Sequence, residues 1–106
     1  KLHNLAIETF DSYSKALAEK GEQRRALAVC EALLALDPLR ESTHRLLLTL
    51  DSAVNGRASA LARAHTLKIM LSGELGVSPE PATMQVIESL SAPTEHSTPA
   101  PARSSS

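Results

Sequence analysis

The chain has 106 residues, 42% of them apolar but only 2% aromatic, and a formal net charge of -1 with acidic and basic residues interspersed. That length holds a single domain that must pack its core efficiently, and the even charge balance lacks the clear positive excess that a module gripping nucleic acid directly usually carries. The lone cysteine, Cys30, closes no internal disulfide, and no apolar run approaches the roughly 20 residues that cross a bilayer.

Leu and Ala dominate the apolar residues, and both favour helices, whereas strands favour Val, Ile and aromatics. Leu2, Leu5, Ala6, Phe10, Tyr13 and Leu17 recur three and four residues apart, which predicts one face of a first helix ending at Gly21. A second helix carries Ala26, Leu27, Cys30, Leu33 and Leu34 inward. It stops before Asp37-Pro38, because the residue preceding a proline avoids the helical region. Asp37 is then expected to cap a third helix, with Pro38 in a first turn where a missing N–H costs nothing. Thr43, Leu46, Leu47, Leu50 and Val54 form the stripe of that helix. Glu41 and Arg45 form an i,i+4 pair on it, worth about 0.2–0.5 kcal/mol. Asn55-Gly56 ends it.

A fourth helix from about Arg57 turns Ala60, Leu61, Ala64, Leu67 and Leu71 inward and closes near Gly73 or Gly76. Ser78-Pro79-Glu80-Pro81 opens a short fifth helix, both prolines falling in its first turn, with Met84, Ile87 and Leu90 as its contacts. From Ser91 to Ser106 the composition shifts to Ser, Pro, Thr and Ala, too polar to offset the entropy of ordering. The expected organisation is a helical domain over residues 1–90 and a disordered tail over 91–106.

A repeat with a period near 34 residues runs through the helical part. Ala26-Leu27 recurs as Ala60-Leu61, and Gly21 recurs one residue out of step as Gly56. This is the period of tetratricopeptide units, helical hairpins that stack side by side. It predicts an all-α fold of about five helices in a right-handed superhelix, with small Ala26 and Ala60 where paired helices cross. Gly21 and Gly56 make the tight turns, and Asp37-Pro38 closes the first unit. The fifth helix caps the open end. By this register the inner wall presents Glu8, Asp11, Lys15 and Glu19, then Ser42, Arg45, Thr49 and Ser52. Such a mixed-charge wall suits a peptide or a protein surface, while each residue taken singly also fits an ordinary solvated helix face.

Residues that carry chemistry are scattered. His3, His44, His65 and His96 share no metal-ligand spacing, so structural or surface histidines are expected and no metal. Cys30 lies on an apolar stripe and is expected to be a buried, inert thiol; a reactive one needs exposure and a nearby cation. No glycine-rich phosphate cradle is present, so no nucleotide cofactor is expected. Glu19 and Glu22 straddle a turn as solvated carboxylates. Arg24, Arg25, Arg57 and Arg63 make either a modest basic patch or plain solubilising charge. No catalytic cluster emerges, and an enzyme is not expected.

Leu36-Asp37-Pro38-Leu39-Arg40-Glu41, Asn55-Gly56-Arg57 and Glu74-Leu75-Gly76-Val77-Ser78-Pro79-Glu80-Pro81 occur in a characteristic order and spacing. With them, the stretch from about Leu5 to Leu90 resembles the C-terminal part of the bacterial transcriptional activator domain. That tetratricopeptide-like module accompanies a winged-helix DNA-binding domain in SARP-type regulators. The resemblance implies a regulatory module that binds a protein partner or a second copy of itself, supporting dimerisation or contact with the transcription machinery. DNA would be bound by a separate domain of the parent, with no direct nucleic-acid or membrane contact here. The alternative is a general tetratricopeptide adaptor unrelated to transcription. The chain starts at Lys1 without Met and reads as a cytoplasmic segment of a longer protein.

Overall fold

The computed structural model describes residues 2–91, which form five helices. They are α1 (Leu2–Glu19), α2 (Gln23–Leu36), α3 (Glu41–Asn55), α4 (Arg57–Leu75) and α5 (Pro81–Ser91). Consecutive helices pack on one another, and α5 also lies on α3. This is an all-α helical repeat of two hairpins, α1/α2 and α3/α4, with α5 against the second. Residues 92–106, most of the expected tail and His96 with it, lie outside the described residues; Ser91 itself closes α5.

The turns follow local chemistry. Gly21 adopts φ 82°, its amide bonds to the Ala18 carbonyl at 3.0 Å, and that of Glu22 to Leu17 at 2.9 Å. These two bonds satisfy carbonyls that α1 leaves without a partner, a pairing a left-handed residue makes possible. Gly56, at φ 102° and ψ 161°, is the entire link between α3 and α4. Of the two glycines expected to end α4, it is Gly76 that does so, in the left-handed conformation with its amide 3.0 Å from the Ser72 carbonyl.

Asp37 has a different part from the one expected. Its amide bonds to Leu33 at 2.9 Å and closes α2, while its carbonyl accepts from Arg40 across a turn containing Pro38. Arg40 therefore holds the extended position before α3, and no side chain caps that end. Asp37 sits one turn too early because Pro38-Leu39 belong to the turn. Pro79 likewise precedes α5, and only Pro81 occupies its first position, where a lost N–H is free of cost.

Two apolar clusters hold the helices together. One joins Leu17 of α1, Ala26, Leu27 and Cys30 of α2, and Leu47 and Leu50 of α3. The other joins Leu48 of α3, Ala60 and Ala64 of α4, and Ile87 and Leu90 of α5. Adjacent residues Leu47 and Leu48 thus serve different clusters. Ala26 and Ala60 are both fully buried, the small side chains allowing close approach of the paired helices.

Three buried faces differ from expectation. On α1, Ile7, Ser14 and Leu17 are buried whereas Leu5 is 60% and Tyr13 44% exposed; the side chains of Leu2 and His3 lie outside the description. Ser14 is tolerated inside because its hydroxyl donates to the Asp11 carbonyl at 2.8 Å. On α3, Leu48 and Asp51 are buried, while Leu46 and Val54 are only half-buried. On α5, Thr83 is fully buried alongside Ile87 and Leu90, and Met84 is half-buried.

Candidate protein-docking surface

Of the residues assigned to the inner wall, Glu8, Lys15, Glu19, Ser42 and Thr49 are exposed, and Asp11, Arg45 and Ser52 are half-buried. The latter group does internal work. Asp11 lies 3.0 Å from Lys15 and 3.9 Å from Arg40, tying α1 to the start of α3. Ser52 accepts the Gly56 amide on its carbonyl at 3.1 Å. Arg45 belongs to a contact with α5. Its Nη1 donates to Thr83 Oγ1 at 2.9 Å and lies 3.1 Å from Glu80 Oε1. Glu41 completes that contact, its Oε1 accepting from the Glu80 amide at 2.9 Å and from the Thr83 hydroxyl at 2.7 Å. Glu41 and Arg45, expected to pair with each other along α3, both turn to the first turn of α5 instead. Charge-assisted bonds to the buried Thr83 hydroxyl are stronger than a solvated i,i+4 pair.

A second polar centre joins α3 to α4. Asp51 is fully buried, and its carboxylate accepts from Asn55 at 2.6 Å and Ser59 at 2.7 Å, with Arg63 Nε at 3.3 Å. Burial pushes this carboxyl up, but the hydrogen bonds from Asn55 and Ser59 and the charge of Arg63 outweigh it and hold it below its ordinary value. Arg63 also reaches Glu31 on α2 at 2.7 Å. The four residues 51, 55, 59 and 63 are spaced by four in the sequence, a signal that the apolar stripes obscured. An open groove beside them is lined by Leu34, His44, Leu47, Arg63, Leu67 and Met70.

The chemistry-bearing residues stay apart. Among the described residues, no group of three or more His, Cys, Asp or Glu side chains is placed to hold a metal ion. His44 Nε2 lies 2.7 Å from the Pro38 carbonyl, and His65 is exposed. Cys30 is buried and unpaired; burial pushes its thiol above the ordinary value, against the opposing hydrogen bond of Ser14. Arg25 spends its guanidinium on Glu22 at 2.6 Å and the Tyr13 hydroxyl at 2.9 Å, as Arg63 does on Glu31 and Asp51. Of the four arginines of the outer helices, Arg25 and Arg63 therefore direct their charge to carboxylates of the chain itself. No described helix is long and apolar enough to cross a membrane.

A stacked pair of helical hairpins with a capping helix, several of its charges paired internally and its exposed wall of mixed sign, defines a helical-repeat module. The chain belongs to the bacterial transcriptional activator domain family, whose model matches residues 1–91. The match covers the helical part as a whole and places the chain among the domains of transcription regulators. Searches of curated proteins and of solved structures each returned no significant match.

Proposed function

We propose that this chain is a non-catalytic, protein-binding regulatory module of a bacterial transcription regulator, supporting dimerisation of its parent or contact with the transcription machinery. The family match over residues 1–91 carries this reading. The docking wall is formed by the outward residues of α1 and α3, with Glu8, Lys15, Glu19, Ser42 and Thr49 as its open part. Asp11, Arg45 and Ser52 border it and hold its shape. Alternating signs along this wall favour a partner chosen by complementary charge, which sets specificity and encounter rate more than raw affinity. DNA is contacted by another domain of the parent, in the cytoplasm. The chain's net charge of -1 and the internal pairing of Arg25 and Arg63 support the assignment of DNA binding elsewhere.

The test is a transcription reporter driven by the parent regulator, or by this chain fused to an unrelated DNA-binding domain. The combined reversal Glu8→Lys, Lys15→Glu and Glu19→Lys is expected to lower reporter output several-fold while leaving the melting temperature within a few degrees of the unaltered protein. Full output from the reversed wall sinks the assignment of the surface. Tight binding of the isolated chain to duplex DNA at physiological salt sinks the assignment of the role.

A further inference from the structure

α5 is held differently from the other helices. It is 11 residues long and follows a link, residues 76–80, in which only Pro79 is even half-buried. Its seat is made by α3 and α4. The seat has an apolar floor of Leu48, Ala60 and Ala64 under Ile87 and Leu90. At its rim Glu41 and Arg45 grip the Glu80 amide, the Glu80 carboxylate and the Thr83 hydroxyl. The seat therefore reads a helix by a defined pattern. It takes a carboxylate, a hydroxyl three residues later, and apolar side chains four and seven residues beyond the hydroxyl. This spacing places the last three on one helical face.

We propose that the α3–α4 seat is a helix-binding site that exchanges its own α5 for the α5 of a second copy of this chain. Every recognition element, seat and helix alike, belongs to the same sequence, so the incoming helix makes the same contacts as the outgoing one. The contacts cancel between the closed and exchanged forms, and the balance is set by chain concentration and by the link. Five link residues span at most about 17 Å when extended. A helix this short, on an exposed link and with three buried side chains, is the kind of element that opens below the threshold for global unfolding. The seat shares Arg45 with the border of the docking wall proposed above, but none of that wall's open residues.

The test uses the full chain and a fluorescent peptide of residues 80–91 as the second copy's helix. Anisotropy is expected to rise saturably with the unaltered chain. Binding should be at least tenfold tighter with the double variant Ile87→Asp and Leu90→Asp, whose own α5 no longer competes. Thr83→Val in the peptide, or Arg45→Ala added to the double variant, is expected to weaken binding about tenfold. Absence of saturable binding to both chains overturns the proposal, as does binding indifferent to Thr83 and Arg45. If the double variant does not fold, the unaltered chain decides: saturable peptide binding that is weakened by Thr83→Val in the peptide upholds the proposal, and no saturable binding overturns it.

Discussion

Arg63 on α4 sets its Nε 3.3 Å from the fully buried carboxylate of Asp51 on α3. Because the same guanidinium reaches Glu31 on α2, one side chain links three helices. Removing it leaves Asp51 buried with only the neutral donors Asn55 and Ser59. Arg63→Ala is expected to cost about 1–3 kcal/mol, read as a lower urea midpoint, since Arg63 is itself partly exposed and the charge it loses is partly screened. Glu31→Ala should cost under about 1 kcal/mol, because that carboxylate is exposed and free to solvate.

The depressed pKa of Asp51 gives stability a definite pH dependence. Its folded value lies below that of the unfolded chain, so the unfolded state binds the proton first as pH falls. The stabilisation is complete above the unfolded carboxylate value, about pH 4, and is lost as pH falls through the lower folded value. Asp51→Asn, which cannot ionise, should therefore be less stable than the unaltered chain at pH 7. The gap should narrow steadily below about pH 4. A gap of constant width in denaturant titrations from pH 7 to pH 2.5 would show that Asp51 does not titrate as described.

Ala60 has no exposed surface and lies among Leu48, Ala64, Ile87 and Leu90. Ala60→Trp forces these side chains apart and is expected to cost about 1–3 kcal/mol or more. Ala58, two residues earlier and exposed, provides the control. Ala58→Trp should leave the thermal midpoint nearly unchanged, since surface substitutions stay within about 0.5 kcal/mol.

Two glycines that both end helices should respond unequally to replacement. Gly56, at φ 102° and ψ 161°, lies where only glycine is at ease, although nothing stands within 4 Å of an added Cβ. Gly56→Ala is expected to lose about 1–3 kcal/mol through backbone strain alone. Gly76, at φ 66° and ψ 29°, is in the left-handed well that asparagine also visits. Gly76→Asn should cost under about 1 kcal/mol, and equal melting losses for the two would contradict the turn geometry.

Cys30 is fully buried, and burial raises its thiol pKa. Since the thiolate is the reacting form, a disulfide reagent at pH 8 should label the native chain only through opening. Labelling should speed up at least a hundredfold in denaturant. Prompt reaction of the native chain would place the thiol nearer the surface than it is described.

The helices and turns were legible in the sequence where the physics is local. Gly21, Gly56 and Gly76 end helices because the backbone there needs positive φ, and Ala26 and Ala60 repeat because close crossings need small side chains. The buried faces were less legible. Leu5 and Tyr13 fit the same periodic stripe as Leu17, yet the face that meets α2 runs through Ile7 and Ser14. A polar Ser14 hides within an apolar stripe because its hydroxyl is satisfied by its own helix. On α3 a single stripe was expected, but three helices pack around it, so Leu48 and Asp51 are enclosed as well. The grip of Arg45 and Glu41 on Thr83 joins residues 38 and 42 positions apart, and no local pattern reports a contact of that range.

The division of labour between Leu47 and Leu48 ties the halves of the molecule to a common fate. The central rod furnishes a wall to each oily compartment, so the first cannot be loosened without withdrawing support from the second. A pull on α1 is consequently borne beneath α5, and the two hairpins should yield as one body, like bricks that share a single course of mortar.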